Sequence, residues 1–176
     1  MNILLSLLKI HTPVTLKKRK IRELFEITGK AFQCDIPPLN GLGYEDLLKE
    51  YAMFAKVQCE KSVRESKNIE EIKGKLYQDA LETGNKLGNA LNLKGMKDIM
   101  HASKLFYSIL GISFSGNEMG EIAIDQCYFS KYFSPEVCRI ISSLDEGVAE
   151  GLSKGKKLCF NQRITEGRNC CKAVLK

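Results

Sequence analysis

The sequence predicts an α+β fold, in which a helical N-terminal half precedes a β-β-α-β-β unit with an antiparallel sheet. Up to residue 110, apolar residues recur at intervals of three and four, which is typical of amphipathic helices. From residue 111, short segments alternate apolar and polar residues and are separated by turn residues, as in hairpins. The length of 176 residues and the 44% hydrophobic content indicate one domain with a real core, and exclude collagen, a disordered tail and a disulfide-rich miniprotein. We expect a single domain over 1–176, with a basic segment at 1–22, helices at 23–110 and the β-β-α-β-β unit at 111–176.

Four helices are predicted in the N-terminal half. The first spans about 15–32 and ends before the stiff segment Ile36-Pro37-Pro38. The second carries apolar residues at helical spacing from Tyr44 to Cys59. The third and fourth are predicted at about 69–91 and 96–110.

Three small residues lie four apart on the third helix: Ala80, Gly84 and Gly88. Each glycine costs about 1 kcal/mol in a helix relative to alanine, so another element should approach this face closely. Another helix, a second subunit or a ligand would satisfy this requirement, and helix packing is the favoured interpretation.

The C-terminal part begins with a hairpin from Ile112 to Cys127, which turns at Ser115-Gly116-Asn117. A helix then starts at the N-cap Ser134, with proline at its first position, and is predicted to end at Gly151 or Gly155. A second hairpin covers 158–175, where Gly167 provides the positive φ that the turn requires.

The net charge of +6 lies entirely in residues 1–22, which contain six basic residues and no acidic one. The remaining chain is neutral, which argues against nucleic acid as a partner. The apolar residues 1–10, with the basic run 16–22, could instead dock on an anionic membrane surface, although a solvated basic helix start is the favoured interpretation. No integral membrane segment and no secretory signal are predicted, so we expect a cytoplasmic protein with reduced cysteines.

The spacing of the seven cysteines matches no zinc motif, and His11 and His101 are the two histidines of the chain. The sequence therefore predicts no metal site and no cofactor.

The helix that starts at Ser134 carries the most informative polar residues. Cys138 and Asp145 are seven apart and nearly eclipsed, and Ser142 lies about 40° to the side. Exposed N–H groups of the first turn can lower the pKa of a thiol, although Glu136 opposes this effect at Cys138. The alternative is that Cys138 is a packing residue and Asp145 is solvated, and this is the commoner case.

Other candidates lie at the ends of strands. Cys127 closes a strand and would lie near Cys138 if that strand packs under the helix start. Cys170 and Cys171 point to opposite sheet faces, so at most one joins such a pocket. Arg163 and Glu166 flank the last turn and form either a salt-linked turn or a site in which Arg163 holds a carboxylate.

Two families resemble this part of the chain. The string Gly120-Glu121-Ile122-Ala123-Ile124-Asp125-Gln126-Cys127, then Cys138, then Arg163-Ile164-Thr165-Glu166-Gly167 and Cys170, resembles the end of the L-2-amino-thiazoline-4-carboxylic acid hydrolase-like family. More remotely, the β-β-α-β-β layout resembles the vinyl-reductase-like domain shared with trafficking-particle subunits and nitric-oxide-binding haem domains. Neither histidine matches a haem ligand.

The hydrolase resemblance implies that a small cyclic amidine, such as L-2-amino-thiazoline-4-carboxylate, is opened in a cysteine-containing pocket. It assigns Cys138 as nucleophile, Asp145 as orienting or proton-handling group and Cys127 as second thiol. Arg163 would hold the substrate carboxylate, with Glu166 and Ser142 as further substrate-binding residues. No histidine in the C-terminal third can act as a base for the thiol.

Two other classes of function remain open. The remoter resemblance implies a non-enzymatic module that binds a small molecule or forms a homodimer, in which the Ala80-Gly84-Gly88 face would suit a symmetric contact. A thiol-based metal or redox protein using Cys127, Cys138 and Cys170 is the third possibility.

Overall fold

The computed structural model describes residues 13–176. Four helices come first in these residues: α1 (Val14–Phe32), α2 (Tyr44–Arg64), α3 (Ile69–Ala90) and α4 (Met96–Ile109). The remaining elements are β1 (Ile112–Gly116), β2 (Glu121–Cys127), a 3₁₀ turn (Tyr128–Lys131), α5 (Pro135–Ile141), α6 (Ser143–Ser153), β3 (Leu158–Gln162), a second 3₁₀ turn (Ile164–Glu166) and β4 (Cys171–Leu175).

This order confirms the α+β class and the helical N-terminal half. The apolar residues 1–10 and His11 lie outside the described residues. None of the helices in the described part of the chain is both long and apolar enough to cross a membrane.

The four strands form one antiparallel sheet in the order β1-β2-β4-β3. The helical connection α5–α6 carries the chain from β2 to the far edge, and β4 then returns between them. Burial alternates along the strands, as expected when one face is covered. Residues Phe114, Ile124, Cys171 and Ala173 lie on the covered face.

The helix predicted from Ser134 begins as expected but is interrupted. The Ser134 hydroxyl accepts a hydrogen bond of 3.2 Å from the Val137 backbone N–H, and Pro135 occupies the first turn. The prediction of one continuous helix is wrong, because Ser142 separates α5 from α6. Its hydroxyl donates to the Arg139 carbonyl at 3.2 Å, a contact that competes with regular helical geometry.

Helix α6 ends at Ser153, so the prediction that it ends at Gly151 is wrong. Lys154 adopts the left-handed conformation directly after Ser153, and Gly155 follows with a φ of 112°. Gly151 lies inside α6, where its small size serves packing against α3.

Helices α3 and α6 pack with their backbones in contact. A Cβ atom added at Gly84 would lie 2.5 Å from the Val148 carbonyl oxygen, and one added at Gly151 would lie 2.5 Å from that of Leu81. The favoured interpretation of the Ala80-Gly84-Gly88 face as a helix-packing surface is therefore confirmed. Because α6 occupies this face, it is not free to meet a second copy, and the homodimer stays a prediction.

Aromatic contacts tie α1 and α2 to the segment that follows β2. The rings of Phe25 and Tyr51 meet edge to face at 5.3 Å, and Tyr51 meets Phe129 at 5.9 Å. The Tyr51 hydroxyl and Thr28 Oγ1 are hydrogen-bonded at 3.1 Å within the core. These contacts hold Phe129 beside the cavity described next.

Candidate functional site: an apolar cavity with a polar end

A cavity of about 110 Å³ lies between the covered face of the sheet and the helices. All six helices of residues 13–176 contribute side chains to its wall, and the lining is predominantly apolar. Representative lining residues are Leu24, Phe106, Ile124, Phe133, Val148 and Phe160. An apolar enclosure with few polar groups is typical of a small-molecule site.

Five of the six candidate residues line this cavity: Cys127, Cys138, Ser142, Asp145 and Arg163. The end of β2, α5, the Ser142 break, α6 and the residue after β3 therefore meet here. Cys138, Ser142 and Asp145 share this cavity, as their helical spacing predicts. The arrival of Cys127 in the same cavity answers a question that the sequence left open.

Asp145 is the acidic group of this polar end. It is half-buried, and its Oδ1 accepts a hydrogen bond of 2.9 Å from the Tyr107 hydroxyl. Burial raises the pKa of Asp145 to about 6, against the opposing effects of the Tyr107 hydrogen bond and the Arg163 charge. Asp145 is therefore mostly ionised at pH 7 and becomes protonated in mild acid.

Tyr107 is a residue of the polar end that the sequence did not predict. Its ring stacks on Phe114 with centroids 5.0 Å apart, and burial, with the nearby Asp145 carboxylate, raises the pKa of its hydroxyl well above the ordinary value. Tyr107 therefore stays a hydrogen-bond donor at neutral pH. Tyr107 lies on the apolar face of α4, four residues after the buried Ser103. A tyrosine at such a position brings its hydroxyl into the interior, and this is a weak signal in the sequence.

Arg163 is the basic group of the polar end. Its guanidinium lies over the Phe160 ring, with Cζ 4.0 Å from the ring centroid. Its Nη1 donates to the Cys138 Sγ atom at 3.8 Å. Within residues 13–176, Arg163 has no carboxylate within 4.0 Å, so most of its donors remain available to a ligand.

The cysteines differ sharply in their surroundings. Burial raises the pKa of Cys127 to about 12, although the Phe129 and Ser130 N–H groups oppose the shift. Cys171 lines the cavity, and burial raises its pKa as well. Cys127 and Cys171 are therefore neutral thiols at pH 7. Cys138 lies beside Arg163 and is half-buried.

Cys170 does not line the cavity; its Sγ accepts a hydrogen bond of 3.4 Å from the Gln162 side chain. As the alternation of side chains along a strand requires, only Cys171 of this pair reaches the cavity. No group of three or more histidine, cysteine, aspartate or glutamate side chains placed to hold a metal ion occurs among the described residues. The suggested set of Cys127, Cys138 and Cys170 does not converge.

Glu166, expected to bind substrate, is not among the residues that line the cavity. The second 3₁₀ turn directs it to the surface beside α5, where Arg139 Nη2 lies 2.6 Å from Glu166 Oε1. The turn is salt-linked, but by Arg139 and not by Arg163. Ser142 does line the cavity, although its hydroxyl hydrogen is already given to the Arg139 carbonyl.

Comparison with known proteins shows a likeness in fold. Neither a protein-family model nor a curated protein sequence matches this chain, so no comparison supports the hydrolase-like family. A crystal structure of trafficking protein particle complex subunit 3 from Naegleria fowleri, covalently bound to palmitic acid, is similar to this chain with a TM-score of 0.51 and 16% sequence identity. The match covers 75% of this chain and 96% of that one. The fold is thus similar to that of a trafficking-particle subunit, in agreement with the remoter of the two resemblances.

Proposed function

We propose that this protein is a non-enzymatic module that binds a small, mainly apolar molecule in the cavity. The observation that carries the proposal is the apolar enclosure with its short polar end, formed by Cys138, Asp145 and Arg163. Apolar walls supply affinity by removing ligand surface from water, and a few polar groups orient the ligand.

The similar fold supports a hydrocarbon ligand, since the trafficking-particle subunit is covalently bound to palmitic acid. The size of the cavity favours a shorter molecule here. An engineered apolar cavity of about 150 Å³ holds a molecule the size of benzene. A volume of about 110 Å³ therefore favours a short chain over one as long as palmitic acid, with an eight-carbon chain and a small head group as the longest probe to test.

Titration of the protein with octan-1-ol, monitored by calorimetry, tests the proposal. Octan-1-ol is uncharged, so the test assumes no charge on the head group. Ala149 on α6 lines the cavity, so Ala149→Phe should fill the space and weaken binding at least about tenfold, or 1.4 kcal/mol. Ala123→Phe is the matched control, because Ala123 alternates with the buried Ile122 and Ile124 and faces away from the cavity.

Saturable binding to the wild type and to Ala123→Phe, with loss in Ala149→Phe, is the expected result. The absence of binding to the wild type, or equal affinity in all three proteins, would overturn the proposal. Thermal unfolding of each variant separates lost binding from lost folding.

Hydrolysis of a cyclic amidine is the second candidate function. It is favoured by the meeting of a thiol (Cys138), a carboxyl group (Asp145) and a guanidinium group (Arg163) in one cavity. Its test is incubation of the reduced protein with L-2-amino-thiazoline-4-carboxylate, with substrate loss followed by mass spectrometry. Turnover that disappears in Cys138→Ser would make the protein a thiol-dependent hydrolase, and no turnover in the wild type would dismiss this function.

A further inference from the structure

We infer that the polar end of the cavity recognises a head group that carries both a negative charge and an N–H donor, so that the ligand is a zwitterionic amphiphile of the 2-amino-acid type. This inference rests on the proposed function, because it names the ligand class for the same cavity. It depends on Arg163 and Asp145, which line the cavity with opposite charges.

These two charges are not paired with each other. No ion pair within 4.0 Å joins Arg163 to Asp145 in the described part of the chain, and neither residue pairs with another charged side chain there. Lys20 and Glu23, the other oppositely charged residues that residues 13–176 place on the cavity wall, are in direct contact at 2.6 Å. Among the described residues, the cavity wall thus has one charged pair in contact, on α1, and one pair that is not in contact, at the polar end.

Each separated charge keeps hydrogen-bonding capacity in the absence of a ligand. Asp145 receives one protein hydrogen bond, from Tyr107 to Oδ1, and Oδ2 accepts none from residues 13–176. Arg163 donates from Nη1 to the Cys138 sulfur, a weak acceptor, and its other N–H groups are not used in protein hydrogen bonds within the same range. Half-buried charges without full partners are costly, so a ligand that satisfies both gains affinity.

A head group with one charge satisfies only half of this site. A simple carboxylate would bind Arg163 and bring a second negative charge close to Asp145. A simple amine would bind Asp145 and bring a second positive charge close to Arg163. A head group with an adjacent carboxylate and ammonium group pairs with both residues and adds no net charge to the cavity.

Both residues are oriented by the protein before a ligand arrives. The Phe160 ring supports the plane of the Arg163 guanidinium, and the Tyr107 hydroxyl fixes one oxygen of Asp145. Tyr107 is itself held by stacking on Phe114. Such pre-orientation lowers the entropic cost of binding and increases selectivity for a head group of matching geometry.

Three probes with the same eight-carbon chain test the inference by calorimetry: L-2-aminooctanoic acid, octanoic acid and octylamine. L-2-aminooctanoic acid should bind the wild type at least about tenfold more tightly than either of the other two. In Asp145→Asn its advantage over octanoic acid should disappear, and in Arg163→Gln its advantage over octylamine should disappear. Glu166→Gln, which changes a charge outside the cavity, should keep the wild-type order.

The outcomes separate this inference from the function on which it rests. Equal affinities for the three probes, or tighter binding of octanoic acid or octylamine than of the amino acid, would overturn the zwitterionic head group and leave the cavity as a binding site. No binding of any of the three probes or of octan-1-ol would overturn the proposed function and this inference with it. The three probes are compared on the wild-type protein, so this part of the test does not depend on the folding of any variant.

Discussion

The hydroxyl of Tyr107 donates a hydrogen bond of 2.9 Å to Oδ1 of Asp145, and this contact joins α4 to α6 at the polar end of the cavity. The bond offsets part of the cost of holding a carboxylate away from water, but the pKa of Asp145 is still raised to about 6. The pH dependence of protein stability should therefore reveal the ionisation of Asp145.

Asp145 should make stability depend on pH. The carboxyl group of Asp145 has a pKa of 3.8 in the unfolded chain and about 6 in the folded protein. Between these two pH values the folded state therefore binds more protons than the unfolded state. Stability consequently falls as the pH rises through this window, and the loss is complete above it. Relative to Asp145→Asn, the wild type should lose about 2 kcal/mol of unfolding free energy between pH 4.5 and pH 7.5. Urea unfolding of both proteins at the two pH values measures the difference, and parallel pH profiles would contradict the assignment.

Tyr107→Phe should leave Asp145 without its protein hydrogen bond. The expected cost is about 1–3 kcal/mol of unfolding free energy at pH 8, where the carboxylate is ionised, and less at pH 4.5. The same substitution in an Asp145→Asn background should cost less at pH 8, because no charge remains to be stabilised. A double-mutant cycle measured by urea unfolding gives the coupling, and a coupling of zero would show that the two residues do not interact.

Gly84→Ala should destabilise the protein, and Gly74→Ala should not. Both residues lie in α3, but a Cβ atom at Gly84 would clash with the Val148 carbonyl oxygen, whereas a Cβ atom at Gly74 meets nothing within 4 Å. We expect a loss of about 1–3 kcal/mol at Gly84 from overpacking, and a gain of up to about 1 kcal/mol at Gly74 from helix propensity. Thermal or urea unfolding distinguishes the two, and equal effects would contradict the close packing of α3 on α6.

Glu166→Gln should leave ligand binding unchanged, although a role in substrate binding was expected from the sequence. Its partner Arg139 lies on the surface, and exposed ion pairs contribute at most about 1 kcal/mol to stability. The affinity of Glu166→Gln for octan-1-ol should remain within about twofold of that of the wild type. A larger loss, measured by calorimetry, would place Glu166 in the binding site.

Cys138 should react with iodoacetamide at pH 8 before Cys59 and Cys127. Burial raises the pKa of both Cys59 and Cys127 to about 12, so only a very small fraction of either is thiolate at that pH. Cys138 is half-buried beside Arg163, and a ligand in the cavity should slow its alkylation. Peptide mass spectrometry with and without octan-1-ol measures the order. Faster labelling of Cys127 would contradict it.

The sequence by itself determined the class and order of the elements, because helical and strand periodicity are local properties. It also determined that Cys138, Ser142 and Asp145 share one side of a helical segment, since this follows from the helical repeat alone. The break at Ser142 did not remove these residues from the common cavity.

Only the tertiary structure decided which distant residues meet. It placed Cys127 with Cys138, brought Tyr107 to Asp145, and paired Glu166 with Arg139 instead of leaving it in the site. It also covered the small-residue face of α3 with α6. These contacts depend on how the helices and the sheet pack together. They join residues that are far apart along the chain, and local periodicity in the sequence cannot predict such contacts.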